Sequence, residues 1–138
     1  MSNRRTDDLA VYRIDKAKND LEAAKGAFTL NFFENSINRS YYSILHATRA
    51  LLALEDIDYK KHSGVINHFI KYYIKTNLFD PKFSNIIKNA FAIRKECDYE
   101  DFFVITKEDA EKQLLVAEEF VYAVEDFVKK SLQHISDK

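Results

Sequence analysis

The sequence contains very few of the residues that make tight turns. Its 138 residues include only two glycines and one proline. A sheet protein of this length needs many turns, and glycine supplies the positive φ angles that common hairpin turns require. The chain also has no glycine-rich loop that would cradle phosphates. These shortages predict an all-helical protein and argue against the nucleotide-binding folds that depend on such loops.

Cysteine and long apolar runs are equally scarce. A single cysteine, Cys97, excludes an internal disulfide and argues against a cysteine-based zinc site. No apolar run approaches the ~20 residues of a membrane-spanning helix. The first residues, MSNRRTDDLAVYR, lack the apolar centre of a signal peptide. We therefore expect a cytoplasmic protein that has no membrane segment, metal or cofactor.

What the sequence does contain is helical periodicity. Apolar residues recur at helical spacing in four long stretches and one short one. The first stretch ends near residues 26–30, and the second extends from residue 33 to residue 54. Short connections favour antiparallel neighbours. Residues 1–138 are therefore predicted to form a single domain, an antiparallel four-helix bundle with one short extra helix.

Polar residues mark the predicted helix starts. Asn31 and Glu34 are spaced as a capping box for the second helix. Ser63 is a good N-cap for the short third helix. Asp80, just before the proline, predicts the start of the fourth helix, and Thr106 predicts the start of the last.

The charge is unevenly distributed, although the net charge is only −1. Residues 60–95 contain eight lysines or arginines and one acid, whereas residues 96–127 contain eleven acids and two lysines. Solvated faces that complement each other would explain this pattern, and so would a basic ridge that meets phosphate. His62 lies beside Lys60 and Lys61 at a predicted helix start, where backbone N–H groups favour anions. These three residues are candidate ligand contacts.

The segment NRSYYSILHATRALL of the second helix places polar residues in an otherwise apolar pattern. On a helical wheel, Arg39 and His46 lie two turns apart on one strip, beside the small residues Ser43, Ala50 and Ala53. Small residues permit close helix approach, so we expect this strip and the end of the fourth helix near a homodimer interface. His46 is either a partly buried histidine bonded to a backbone group or a tyrosine hydroxyl, or an acid–base group beside an arginine.

A second polar interruption occurs in the fourth helix. Arg94 falls where the apolar stripe should continue, and Asp98 follows one turn later. A partly buried arginine is costly unless it is paired. Arg94 therefore either pairs with Asp98 or serves a ligand. Tyr42, Asp98 and Tyr99 are candidate ligand contacts, although aromatic residues in bundles mostly pack. His68 is expected at the surface.

In the order and spacing of its segments, the chain resembles the HEPN family of small helical domains. The segments are NRSYYSILHATRALL, KKHSG, NLFDPKF, RKECDYEDF and ITKEDAEKQLLVAEEFV. The resemblance is to the compact branch that is often encoded beside a minimal nucleotidyltransferase. It implies a four-helix bundle with a short extra helix, usually a dimer, and frequently RNA as the target.

The resemblance also implies an activity. Many HEPN proteins are metal-independent endoribonucleases whose signature is an arginine and a histidine separated by four to six residues, and Arg39 and His46, with six residues between them, match it. In toxin members the signature lies late in the chain, near Arg94 here, and Asp98 stands about where the histidine would be. The implied catalytic residues are Arg39, His46 and Arg94.

Three interpretations of the function follow. The first is the toxin-like, endoribonuclease-type half of a toxin–antitoxin module, with a nucleotidyltransferase as partner. The second is a non-catalytic HEPN module that binds a nucleotide or a partner protein. The third is a purely structural helical adaptor, against which the uneven charge and the position of Arg94 argue.

We predict that replacing Lys60 and Lys61 with glutamate weakens the binding of RNA or nucleotide and flattens its salt dependence. The reason is that each phosphate contact made by a cation releases counterions. Fluorescence anisotropy over a salt series measures both quantities. An unchanged affinity and salt slope in the double variant would move the site away from this basic segment.

Overall fold

The computed structural model describes residues 4–99 and 104–136, including their side chains except at positions 99 and 134–136. Within these ranges the chain forms five α-helices and no strand, and none of the helices is both long and apolar enough to cross a membrane. The helices are α1 (Arg4–Thr29), α2 (Phe33–Leu54), α3 (His62–Phe69), α4 (Lys82–Tyr99) and α5 (Lys107–Ser136). A π-helical segment, Ile70–Ile74, continues α3. The predicted helical bundle with one short extra helix is confirmed.

The helix α2 lies at the centre of the bundle. It contacts each of the other four helices, and more than half of its 22 residues are buried. Ala47 and Ser40 are small, so neighbouring helices can approach α2 closely at these positions. Ile44 and Leu51 are larger and fill the core between α2 and the other helices. Burying one such aliphatic side chain stabilises a fold by roughly 1.5–3 kcal/mol. This packing fixes the direction in which the polar residues of α2 point.

The helix α1 runs antiparallel to α2 along the strip of small residues on α2. Ser36 Oγ donates to the Ala24 carbonyl oxygen at 2.9 Å, and Arg13 Nη1 donates to the Arg49 carbonyl oxygen at 3.0 Å. The small residues named for this strip, Ser43, Ala50 and Ala53, are buried within the single chain. Their expected place at a dimer interface is therefore wrong, because α1 already covers them. The homodimer itself stays a prediction.

Two of the predicted helix caps are present. Thr106 Oγ1 accepts the N–H of Asp109 at 3.1 Å, at the first turn of α5. Asp80 Oδ1 accepts the N–H of Lys82 at 2.9 Å, at the first residue of α4. Both bonds satisfy N–H groups that have no partner inside the helix.

The other two predicted caps are wrong. Asn31 has a left-handed backbone, with φ at 67°, and its N–H bonds a carbonyl in the last turn of α1. It therefore ends α1, a conformation that asparagine tolerates, and it does not form a capping box with Glu34. The helix α3 begins at His62, before Ser63, because the carbonyl of Lys61 accepts the first backbone bonds.

Aromatic rings anchor α3 to the C-terminal helices. The ring centroid of Phe69 lies 5.4 Å from that of Phe120 on α5 and 5.6 Å from that of Phe79. Phe79 in turn lies 5.2 Å from Phe127. Such pairs contribute about 0.5–1.5 kcal/mol each beyond the burial of their area. Because α3 is anchored at this end, its first residue, His62, is held beside α2.

We predict that Thr106→Ala lowers the free energy of unfolding by about 1 kcal/mol, the usual cost of an N-cap. Thr106→Ser keeps the hydroxyl group and is the matched control, so it should stay close to the parent protein. Urea denaturation followed by circular dichroism measures both variants. An equal loss in the serine variant would show that the threonine methyl group, and not the cap, stabilises α5.

Candidate functional site

A buried carboxylate on α1 organises the polar residues of α2. Asp20 is 9% exposed, and its two oxygens accept bonds from two residues of α2. Oδ2 lies 2.6 Å from His46 Nδ1, and Oδ1 accepts from Arg39 Nη1 at 3.3 Å. A carboxylate only accepts, so His46 Nδ1 carries a proton and Nε2 is left for other chemistry. The structure thus brings Arg39 and His46 together around one acid.

Sequence reasoning missed Asp20, although the sequence carried a signal for it. Asp20 is three residues after Ala17 and four before Ala24, so it shares their apolar strip. An acid on a buried strip needs a hydrogen-bonding or cationic partner. The identity of that partner depends on how α1 packs against α2, and local sequence patterns do not predict this packing.

A groove of about 340 Å³ opens beside this pair. Tyr42, His46 and Arg49 of α2 line it, together with His62 at the start of α3. The ring of Tyr42 lies 5.9 Å from that of His46 and 6.1 Å from that of His62, centroid to centroid. Both imidazoles therefore flank the same tyrosine ring. The groove thus contains His62 in addition to His46, the histidine that the sequence indicated as an acid–base group.

His62 is held by Tyr41, whose hydroxyl oxygen lies 2.8 Å from His62 Nδ1. Burial lowers the pKa of His62, and the positive charges of Arg94 and Arg49 lower it further. Burial raises the pKa of Tyr41 to about 12, so its hydroxyl stays protonated at neutral pH. His62 is therefore a neutral imidazole. When the tyrosine donates to Nδ1, the ring proton sits on Nε2.

Arg94 reaches the same tyrosines from α4. Its guanidinium lies 5.3 Å from the ring centroid of Tyr41 and 5.5 Å from that of Tyr42, and Nη2 donates to the Tyr42 hydroxyl at 3.3 Å. Arg94 Nε lies 3.2 Å from Asp98 Oδ2, so the pair suggested by the spacing forms. The side chain of Tyr99 lies outside the described residues.

The loop after α2 holds the arginines of the groove. Asp58 Oδ1 lies 3.4 Å from Arg49 Nη1, and Asp58 Oδ2 lies 3.4 Å from Arg13 Nη2. One carboxylate thus serves two arginines and leaves an excess of positive charge. Sequence reasoning missed both arginines, although Arg49 lies one turn after His46 on the helix. Arg13 gave no comparable signal, because only packing brings it to α2.

The loop itself is fastened by a buried histidine. His68 Nε2 lies 3.0 Å from Glu55 Oε2, and His68 Nδ1 lies 2.9 Å from the hydroxyl of Tyr59. His68 is 5% exposed, so its expected surface position is wrong. The loop folds back over α3, where a Cβ on Gly64 would lie only 3.0 Å from the Tyr59 side chain. These contacts keep Asp58 opposite the arginines.

The two predicted lysine contacts lie elsewhere. Lys60 and Lys61 are exposed, and neither lines the groove. Among the described residues, no group of three histidine, cysteine or acidic side chains is arranged to hold a metal ion. Burial raises the pKa of Cys97 to about 11, so its thiol is not a ready nucleophile at neutral pH. The chemistry of this surface therefore rests on imidazole, phenol and guanidinium groups.

Comparison with known proteins identifies the family. Residues 10–127 match the HEPN domain. A protein of Methanocaldococcus jannaschii named "Putative toxin" is 39% identical over 98 residues, which cover 71% of this chain and 67% of that protein. A second protein of that organism with this name is 34% identical over 122 residues, or 88% and 87% of the two chains. A "UPF0332 protein" of Archaeoglobus fulgidus is 32% identical over 125 residues, or 91% and 98%. The chain belongs to the HEPN domain family, as its motifs predicted.

We predict that His62 titrates below the usual histidine pKa of 6.5 and that Arg94→Gln raises its pKa. The substitution removes a nearby positive charge, whereas burial, the larger cause, remains. NMR titration of the imidazole signals measures this shift. Lys95→Gln, the neighbouring cation on α4, is the matched control and should leave the pKa of His62 unchanged.

The same pKa shift has a stability consequence with a definite sign. The folded protein binds the His62 proton less tightly than the unfolded chain does, so neutral His62 favours the folded state. This contribution is complete above pH 6.5, the unfolded value, and is lost as the pH falls through the lower folded value. A folded pKa at or above 6.5 would contradict both predictions.

Proposed function

We propose that this protein is a HEPN-type RNA-targeting protein, the toxin-like, endoribonuclease-type half of a toxin–antitoxin module. Its partner in this proposal is a nucleotidyltransferase, and its own assembly is a homodimer. Family membership and the printed names of two relatives support the toxin-like role. The groove beside α2 supplies the chemical support.

One observation carries the proposal, the 2.6 Å bond between Asp20 and His46 at the edge of this groove. A carboxylate that holds Nδ1–H of an imidazole leaves a lone pair on Nε2 and stabilises the imidazolium that forms after proton transfer. That is the arrangement of a general base. If the pair of Asp20 and His46 served only the packing of the bundle, it would not have to lie beside a cationic groove.

RNA cleavage without a metal needs a base, a proton donor and positive charge near the phosphate. In the proposed reaction, His46 Nε2 takes the proton of the ribose 2′-hydroxyl. The 2′-oxygen then attacks the phosphorus, and the bond from phosphorus to the 5′-oxygen breaks. The products are a 2′,3′-cyclic phosphate and a 5′-hydroxyl group.

The other groove residues serve the phosphate and the leaving oxygen. Nε2–H of His62 and the guanidinium of Arg49 donate to the phosphate oxygens. The Tyr42 hydroxyl, which accepts a hydrogen bond from Arg94 Nη2, donates its proton to the leaving 5′-oxygen. Arg39 acts through Asp20, because its bond to Oδ1 keeps the carboxylate in place.

The second candidate is a non-catalytic HEPN module that binds a nucleotide or a partner protein. The pair between Arg94 and Asp98 favours it. At the late position where toxin members carry a histidine, this chain offers a carboxylate that cannot act as an imidazole. The two candidates share the groove and differ in whether His46 transfers a proton.

We predict that His46→Asn abolishes growth inhibition on induced expression and lowers RNA cleavage by at least about 100-fold, the usual contribution of an acid–base group. The asparagine amide can still donate to Asp20, so the fold should survive. Arg39→Ala should also impair activity, and the double variant should add little, because residues that act as one unit are not additive. Gel analysis of RNA fragments measures the cleavage.

Lys130→Ala, an exposed change on α5 outside the groove lining, is the control and should stay fully active. Full activity in a folded His46→Asn variant, with activity lost in Arg94→Ala, would place the working site in the late RKECDY segment. If the parent protein binds RNA but never cleaves it, the non-catalytic candidate is correct. Relief of growth inhibition by a nucleotidyltransferase encoded beside this chain would support the proposed partner.

A further inference from the structure

The α1 side of the groove has no role in the proposed reaction. Leu9, Tyr12, Arg13 and Lys16 line it, and their spacing of i, i+3, i+4 and i+7 places all four on one face of the helix. Leu9 and Tyr12 are 38% and 62% exposed, so neither belongs to the core. This face of α1 therefore presents two apolar or aromatic side chains and two basic ones to the groove that His46 and His62 also line.

Tyr12 differs from Tyr72 in having no side-chain partner, and it differs from Tyr122 in lining the groove. Tyr72 is 45% exposed, but its ring centroid lies 4.4 Å from that of His68. The side chain of Tyr12 makes no hydrogen bond and no ring contact with any residue in the described part of the chain. An aromatic face that is open at the edge of a basic groove is the usual platform for stacking a nucleic acid base.

The charges beside Tyr12 favour a phosphate. Lys16 is exposed and forms no ion pair with any residue that the structure describes. Arg13 and Arg49 share the single carboxylate of Asp58. None of the residues that line the groove is acidic. The groove therefore keeps an excess of positive charge in a protein whose net charge is −1.

We propose that this face is a nucleotide subsite for single-stranded RNA, in which a base stacks on Tyr12 and the adjacent phosphate lies between Arg13 and Lys16. The proposal rests on the proposed function and adds the strandedness of the substrate. A paired base in a duplex is already stacked on both faces, so it has no face to offer Tyr12. The volume of about 340 Å³ suits a nucleotide and not a duplex.

Fluorescence anisotropy with a labelled 2′-O-methyl RNA octamer tests the subsite without cleavage, because this RNA has no free 2′-hydroxyl group. Tyr12→Ala should weaken binding about tenfold, the loss expected for one base stack. Tyr12→Phe keeps the ring and should bind as the parent protein does. Tyr122→Ala removes a tyrosine of α5 that is 45% exposed and is the matched surface control. Lys16→Gln should reduce the salt slope by about 0.7, the value for one contact to a single strand.

The outcomes separate this proposal from the proposed function. Unchanged binding in Tyr12→Ala, or equal weakening in Tyr12→Phe, would overturn the stacking subsite and leave the reaction standing. Tighter binding of a duplex or of DNA with the same sequence would overturn single-stranded RNA as the occupant. A parent protein that does not bind the octamer would overturn both proposals.

Discussion

The buried carboxylate of Asp20 is the interaction on which the rest of the structure depends. An ionised acid in this position is costly unless its oxygens are bonded, so α1 must meet α2 where His46 and Arg39 can reach them. That requirement sets the register of the two helices that pack together most extensively. With this register, Arg13 reaches the Arg49 carbonyl group, and the groove forms between their outer faces.

The acids that serve the groove do not line it. Asp20 holds His46 from inside the bundle, whereas Asp58 holds two arginines from the loop after α2, and the loop is fastened through His68. The hydroxyl group of Tyr41 holds His62 in the same way, through its hydrogen bond to Nδ1. The two histidines and the two arginines that face the groove are thus oriented by partners outside its lining. This arrangement lets a nearly neutral protein present a surface that attracts anions.

The two polar interruptions of the sequence are connected in the structure. From the sequence alone, the α2 strip and the late RKECDY segment are two separate candidate functional sites. Arg94 stacks on Tyr41 and Tyr42 and donates to the hydroxyl of Tyr42, which in turn lines the groove with His46. The late arginine therefore acts on the groove through the tyrosines of α2. Its pair with Asp98 neutralises part of its charge without removing that contact.

The sequence by itself determined whatever depends on neighbours along one helix. The scarcity of glycine and the apolar period predicted the helices, local hydrogen bonds made the caps at Asp80 and Thr106, and the 3.6-residue turn placed Arg39 and His46 on one strip. The tertiary structure alone decided that Asp20 joins these two residues, that Arg13 reaches the groove and that the strip of small residues is covered by α1. The helical period fixes which residues share a face, but only the packing of the whole core decides which face of another helix lies against it.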